Sequence, residues 1–297
     1  MRNELVINTT TKDHLGSQLT SIRVFLNQLE THIENGGRTL NFYKYRWSPP
    51  LLSVFFANII ERYTQIEPAK INSHGYFKYI HFPYGLQPLK NNNWKEVLNT
   101  YRSKSYIPLI RFPNNYTEEA RGIREDIISH TGRLIKEISS LPVNYINGIS
   151  YLLGELTDNI VEHSNANNGW ISFQYYRQKG YLDICIGDSG MGLLSSYKNY
   201  SGTKDYSHIN TPIDALKNAI KGESTKKRNT NERGYGIHTS RAILTKGFGG
   251  KFVMFSGNAL LINDELMNFY CNYNGTIAFF RLPCKVNSSF SIYNFLE

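Results

Sequence analysis

The feature that most constrains this chain is a helix-period stripe running straight into a strand-period hairpin. In "YINGISYLLGELTDNIVEHS", Tyr145 to Ser164, the apolar residues Ile149, Leu152, Leu153, Leu156 and Ile160 recur at three- and four-residue spacing, which is one face of an amphipathic helix. The runs "WISFQYY" and "YLDICI" follow, β-rich and separated by a short loop around "QKG", as in an antiparallel hairpin. A helix with one apolar stripe and a hairpin with one apolar face must bury those surfaces against each other. The chain is therefore committed to a layered fold of helices on a sheet.

The flanking sequence extends both layers. Before the stripe, the segment after "PNNY", Pro113 to Tyr116, carries Ile123, Ile127, Leu134, Ile135 and Ile138 on one helical side. After the hairpin, Thr211 and Pro212 form an N-cap and first turn for "IDALKNAI", and Gly222 ends that helix. A further helix is predicted from Gly236 through "IHTSRAILTK" to Gly247, and "KFVMFS" and "GTIAFFRLP" supply two more strands. This order gives an α+β fold with helices on one face of a largely antiparallel sheet. Residues 1–115 read as a smaller α/β domain, with a helix in "PPLLSVFFANIIERY" and β-like runs in "YFKYIHF" and "YIPLIRF". The boundary is drawn at 115/116, and 116–297 form the second domain.

Charge and cysteine usage narrow the setting. A net charge of +9 over 297 residues favours acidic partners such as nucleotides, nucleic acid or an anionic surface. The 21 tyrosines add to the nucleic-acid possibility, but no nucleic-acid motif accompanies them. Cys185, Cys271 and Cys284 are widely spaced and read as reduced thiols. "MRNELVINTT" has no signal-peptide core and no run is apolar for long enough to span a membrane, so a cytoplasmic protein with no membrane partner is expected.

Three short elements then point to chemistry. Glu155, Asn159 and His163 lie one helical turn apart beside the apolar stripe, which is either a solvated helix face or the rim of a pocket. "GDSGMG" places Asp188 where a strand leaves the sheet, with Gly190 and Gly192 allowing a sharp turn and close approach of a ligand. "ERGYGIHTS" puts Gly234, Tyr235 and Gly236 just before a helix, where backbone N–H groups attract phosphate. Between the last two lies "GESTKKRNTNERG", polar and basic, as in a loop that closes over polyphosphate.

In this order the elements resemble the GHKL superfamily of gyrase, Hsp-type chaperones, histidine kinases and MutL. E-x-x-x-N matches at Glu155 to Asn159, D-x-G-x-G at Asp188 to Gly192, G-x-G at Gly234 to Gly236, and the terminal G-T strand at Gly275 and Thr276. The resemblance spans roughly residues 117 to 285. It implies a two-layer α/β sandwich of the Bergerat type binding ATP and Mg²⁺. Asn159 would hold the metal, Glu155 would activate water or a hydroxyl, and Asp188 would take the adenine amine with Thr276 beside it. Gly190 and Gly192 would shape the base pocket, with Gly234, Tyr235, Gly236 and Lys226 at the phosphates.

The helix motif is most similar to that of anti-sigma-factor serine kinases. The N-terminal part faintly resembles a STAS-like fold. Relatives that hydrolyse ATP take a lysine from a following domain, whereas here "CKVNSSFSIYNFLE" follows the last motif. Slow hydrolysis, a required partner, or a loop cation from Lys226, Lys227 and Arg228 is the expectation. The implied function is a nucleotide-dependent regulatory switch acting on a protein partner, with a homodimer left open. Protein serine/threonine kinase and nucleic-acid-associated module are the alternatives. His130 reads as a surface histidine and His163 as structural.

Overall fold

A computed structural model of the chain describes residues 4–8, 13–72, 75–223, 236–285 and 290–296. It is a mixed α+β protein. The N-terminal part carries three short parallel strands in the order β1 (Glu4–Val6), β2 (Thr39–Asn41) and β3 (Glu67–Ala69). The connections are α1 (Leu15–Glu34) and α2 (Pro50–Arg62). Pro50 opens α2 where an N–H would have no helical partner, and nearly every residue to Ile59 is buried. A helix buried on all sides must be apolar on all sides, which accounts for the run "PLLSVFFANII".

Two short helices, α3 (Tyr76–Tyr79) and α4 (Trp94–Asn99), then lead to β4 (Tyr106–Pro113). The "YFKYIHF" stretch is thus a helical turn followed by turns, not the expected strand. Phe77 and Ile80 stand one helical turn apart and are both 3% exposed, so three-residue spacing wins over β propensity.

The rest of the chain builds a five-stranded antiparallel sheet. Its helices are α5 (Glu118–Ser139) and α6 (Val143–His163). They are followed by β5 (Asn168–Tyr176), β6 (Tyr181–Asp188), α7 (Gly192–Lys198) and α8 (Pro212–Ala219). Last come α9 (Gly236–Ala242), β7 (Lys251–Ile262) and β8 (Glu265–Pro283). Strand order is β4-β5-β6-β8-β7. The sheet therefore draws an edge strand, β4, from before position 116. Caps agree with the residues present: Thr117 accepts from the Ala120 N–H at 3.2 Å, and Thr211 with Asp214 forms a capping box on α8. α9 continues into a wider π-type turn, Ile243–Gly247, closed by Phe248 N–H to Ile243 O at 2.9 Å.

Both faces of this sheet are covered, where the sequence predicts helices on one face only. Leu182, Ile184 and Ile186 of β6 and Ala278, Phe280 and Leu282 of β8 share a core with α5, α6 and α9. Their neighbours Cys185, Ile277 and Phe279 point the other way, into a second core with α1 and α2. Alternating side chains that are all apolar require two dry faces, and the unbroken run "IAFF" in β8 meets that demand. Cys185 and Cys271 are buried, Cys284 is half-buried, and all three are free. No described helix is long and apolar enough to cross a membrane.

Candidate functional site

The helix α6 delivers its polar line to the place where β6 ends. The apolar stripe fixes the helix's rotation: Ile149, Leu152 and Leu153 are fully buried and Leu156 is 3% exposed. Each such side chain contributes about 1.5–3 kcal/mol on burial, so turning the helix about its axis is prohibitively costly. Asn159 and His163 are consequently aimed into a cavity of about 470 Å³, part of it open to solvent. Asp188, Gly192 and Thr276 form the opposing wall, with Ile160, Ile186 and Met254 among the apolar lining. A mostly apolar concavity with a few convergent polar groups has the character of a small-molecule site.

Asp188 is the last residue of β6 and only 2% exposed. Antiparallel pairing sets it opposite Gly169 on one side and Thr276 on the other. The Gly190 N–H donates to its Oδ1 at 2.8 Å, and the Thr276 backbone also hydrogen-bonds the carboxyl. Burial nevertheless pushes the carboxyl up to about 7, because those bonds and the charge of Arg62 only partly offset desolvation. A buried carboxyl at the mouth of an apolar cavity is poised to take a hydrogen-bond donor.

The glycines are required by close approach. A Cβ on Gly190 would lie 2.0 Å from the Ser164 carbonyl oxygen, which itself accepts the Met191 N–H at 2.7 Å. Gly192 has φ +74°, and a Cβ there would meet Ser256 Oγ at 2.9 Å. Gly190→Ala is expected to lower the melting temperature by roughly 3–10 °C, since neither backbone group can retreat without losing its bond. A thermal melt followed by circular dichroism checks it, and an unchanged midpoint contradicts the tight packing.

Glu155 is not part of the cavity wall. It sits one turn before Asn159, hydrogen-bonded to Tyr151, whose hydroxyl is raised to about 12 chiefly by burial and also by the carboxylate. It lies against Gly236: a Cβ there would meet Glu155 Oε2 at 2.4 Å and Asn159 Nδ2 at 3.4 Å. A side chain at residue 236 would have to displace this carboxylate. Asn159 Nδ2 is buried and has no hydrogen-bond partner among the described residues. An amide left so at a cavity wall is suited to a ligand or to a metal with oxygen ligands, its oxygen and nitrogen exchanging by a flip. Lys226, Lys227, Arg228, Gly234 and Tyr235 lie outside the described residues.

Two participants escape the sequence motifs. Ser256 Oγ accepts the Leu193 N–H at 3.0 Å and donates to Gly275 O at 2.8 Å, and Thr276 Oγ1 reaches it at 3.3 Å. It thereby ties α7, β7 and β8 together beside Leu193 and Thr276 of the cavity wall. Tyr273, 1% exposed, donates its hydroxyl to the Asp188 carbonyl at 2.9 Å. No local signal marks either residue, since strand pairing alone brings them there. His130 is half-buried on α5, bonded to the Asp126 carbonyl at 3.0 Å and tilted against Trp94, and is not part of the cavity lining. His163 does line the cavity.

In comparison with known proteins, no family model matches the chain, and no curated protein is significantly similar to it.

Proposed function

We propose that this protein binds Mg-ATP in the cavity between α6 and the end of β6, as a GHKL-type nucleotide-dependent regulatory switch with slow hydrolysis. The observation that carries the reading is that Asn159, Asp188 with Gly192, and Thr276, from three segments far apart in sequence, wall one cavity. Further support comes from Gly236, which abuts both Glu155 and Asn159. The antiparallel sheet with α5 and α6 on one face is compatible with the Bergerat arrangement.

In this reading the Asp188 carboxylate accepts the exocyclic amine of adenine while Ile160, Ile186 and Met254 hold the ring by apolar contact. Asn159 would hold the metal through its amide oxygen, and Glu155, hydrogen-bonded to Tyr151, would take the proton of the attacking water or hydroxyl. Mg²⁺ when bound offsets the negative charge of the phosphates and leaves coordination sites for water. The protein partner reads whether the triphosphate or the diphosphate is bound.

Isothermal titration with Mg-ATP and Mg-ADP tests the reading. One site per chain with tighter binding of the triphosphate is expected; absence of binding at millimolar nucleotide defeats the proposal. ATP labelled on the γ-phosphate then tells hydrolysis from transfer: released inorganic phosphate marks the ATPase, and a labelled partner protein marks the kinase.

A further inference from the structure

The turn carrying Asp188 is held from the side away from the cavity by the N-terminal part of the chain. Arg62, the last residue of α2, donates from Nη1 to the carbonyl of Ser189 at 2.8 Å and to that of Gly190 at 3.4 Å. Each carbonyl belongs to a peptide unit whose N–H does something on the opposite side. The unit joining Ser189 to Gly190 sends its N–H to Asp188 Oδ1 at 2.8 Å, and the unit joining Gly190 to Met191 sends its N–H to Ser164 O at 2.7 Å. In a trans peptide the C=O and N–H point in opposite directions, so a cation fixing both carbonyls also aims both N–H groups.

The end of α2 is itself anchored. Glu61 takes Arg111 of β4 at 2.8 Å, Asn168 of β5 at 2.5 Å and the Trp170 indole N–H. Phe55 of the same helix packs against Tyr273, ring centroids 5.9 Å apart, and Tyr273 holds the remaining carbonyl of the turn, that of Asp188.

We propose that Arg62 is a positioning residue for base recognition: from α2 it fixes the two peptide planes that orient Asp188 and the Ser164 wall, so the seating of α2 sets the affinity for adenine. The inference rests on the Mg-ATP reading and adds to it a route by which the N-terminal part regulates that site. Any event that shifts α2 on the sheet then changes nucleotide affinity, and by reciprocity nucleotide binding changes the seating of α2.

Arg62 is exposed, so its replacement leaves both cores intact. The test measures binding of Mg-ATP and of magnesium tripolyphosphate, which lacks the base, to the full chain. Arg62→Ala is expected to weaken Mg-ATP at least fivefold with tripolyphosphate unchanged and the melting temperature held. Tyr273→Phe, which keeps the ring and removes the hydroxyl, is expected to weaken ATP in the same base-dependent way. Unchanged ATP affinity in both variants, or equal weakening of the two ligands, overturns the proposal. Failure of the unsubstituted chain to bind Mg-ATP removes the function reading first, and is distinguishable because no variant is then needed.

Discussion

Glu155→Ala is expected to lower ATP turnover by about 10²–10⁴-fold, the usual contribution of a positioned general base, while changing Mg-ATP affinity by no more than about threefold. The asymmetry follows from placement. Glu155 stands outside the cavity wall, beside Gly236 and hydrogen-bonded to Tyr151, so it does not form the surface proposed to hold the nucleotide. Its carboxylate lies near Asn159, the metal-holding residue of the proposed reading: the space a Gly236 Cβ would occupy is 2.4 Å from Glu155 Oε2 and 3.4 Å from Asn159 Nδ2. Single-turnover release of labelled phosphate, with affinity measured in parallel by calorimetry, separates the two effects. Turnover within tenfold of the unsubstituted chain would remove Glu155 from the chemistry.

The second large effect concerns Asp188 and pH. Its carboxyl is raised from the ordinary 3.8 to about 7 by burial. Between those values the folded chain keeps a proton that the unfolded chain has lost, so this group's contribution to stability is fully present below about pH 4 and is lost as pH rises through about 7. On the proposed reading nucleotide binding has the opposite sign, because the carboxylate is a stronger acceptor for the adenine amine than the protonated carboxyl. Mg-ATP affinity is therefore expected to fall about tenfold between pH 8 and pH 6, and nucleotide added at pH 8 recovers part of the stability lost by ionisation.

The nucleotide's own phosphates titrate in the same window, so the comparison with Asp188→Asn isolates the carboxyl. In that variant an amide replaces a group that takes the Gly190 N–H and the Thr276 backbone and is proposed to take the adenine amine, so one donor would be left facing another donor. Affinity is expected to drop about 10- to 100-fold at pH 8 and its pH dependence to flatten. A variant with the same pH slope as the unsubstituted chain would mean that Asp188 does not titrate on binding.

Coupling between the two parts of the chain changes how such variants should be read. Glu61, at the end of α2, is hydrogen-bonded to Trp170 and Asn168 in β5, and Tyr273 carries contact from Phe55 of α2 to the Asp188 carbonyl. Substitutions in the second core, though remote from the cavity, are thus able to reach the Asp188 turn through the sheet. Effects at contacting positions are not additive, and double substitutions of Arg62 with Asp188 are the direct measure of their interaction.

Local patterning determined much of this protein. The three- and four-residue spacing from Ile149 to Ile160 specified α6, the β-rich runs on either side of "QKG" specified the β5–β6 hairpin, and Thr211-Pro212 specified the start of α8. The placement of Asn159, Asp188, Gly192 and Thr276 in motifs at strand and helix ends was legible because glycine turns and helical periodicity are written in neighbouring residues. The β7–β8 hairpin was legible only in part. Strands with both faces buried lose their alternation, and its two-residue turn depends on Asn263 at φ +53°, a signal present in "ND" but weak without the pairing.

What only the tertiary structure decided is which distant residues meet. The three parallel strands of the N-terminal part are three residues each, too short to carry a period, and pair only because α1 and α2 bring them side by side. The second dry face of the sheet, the seat of Ser256 under Thr276 and the grip of Arg62 on the Asp188 turn all join positions separated by about twenty residues or more. Periodicity reports which side of an element is apolar, but not which surface will cover it. That choice is made by the packing of the whole chain.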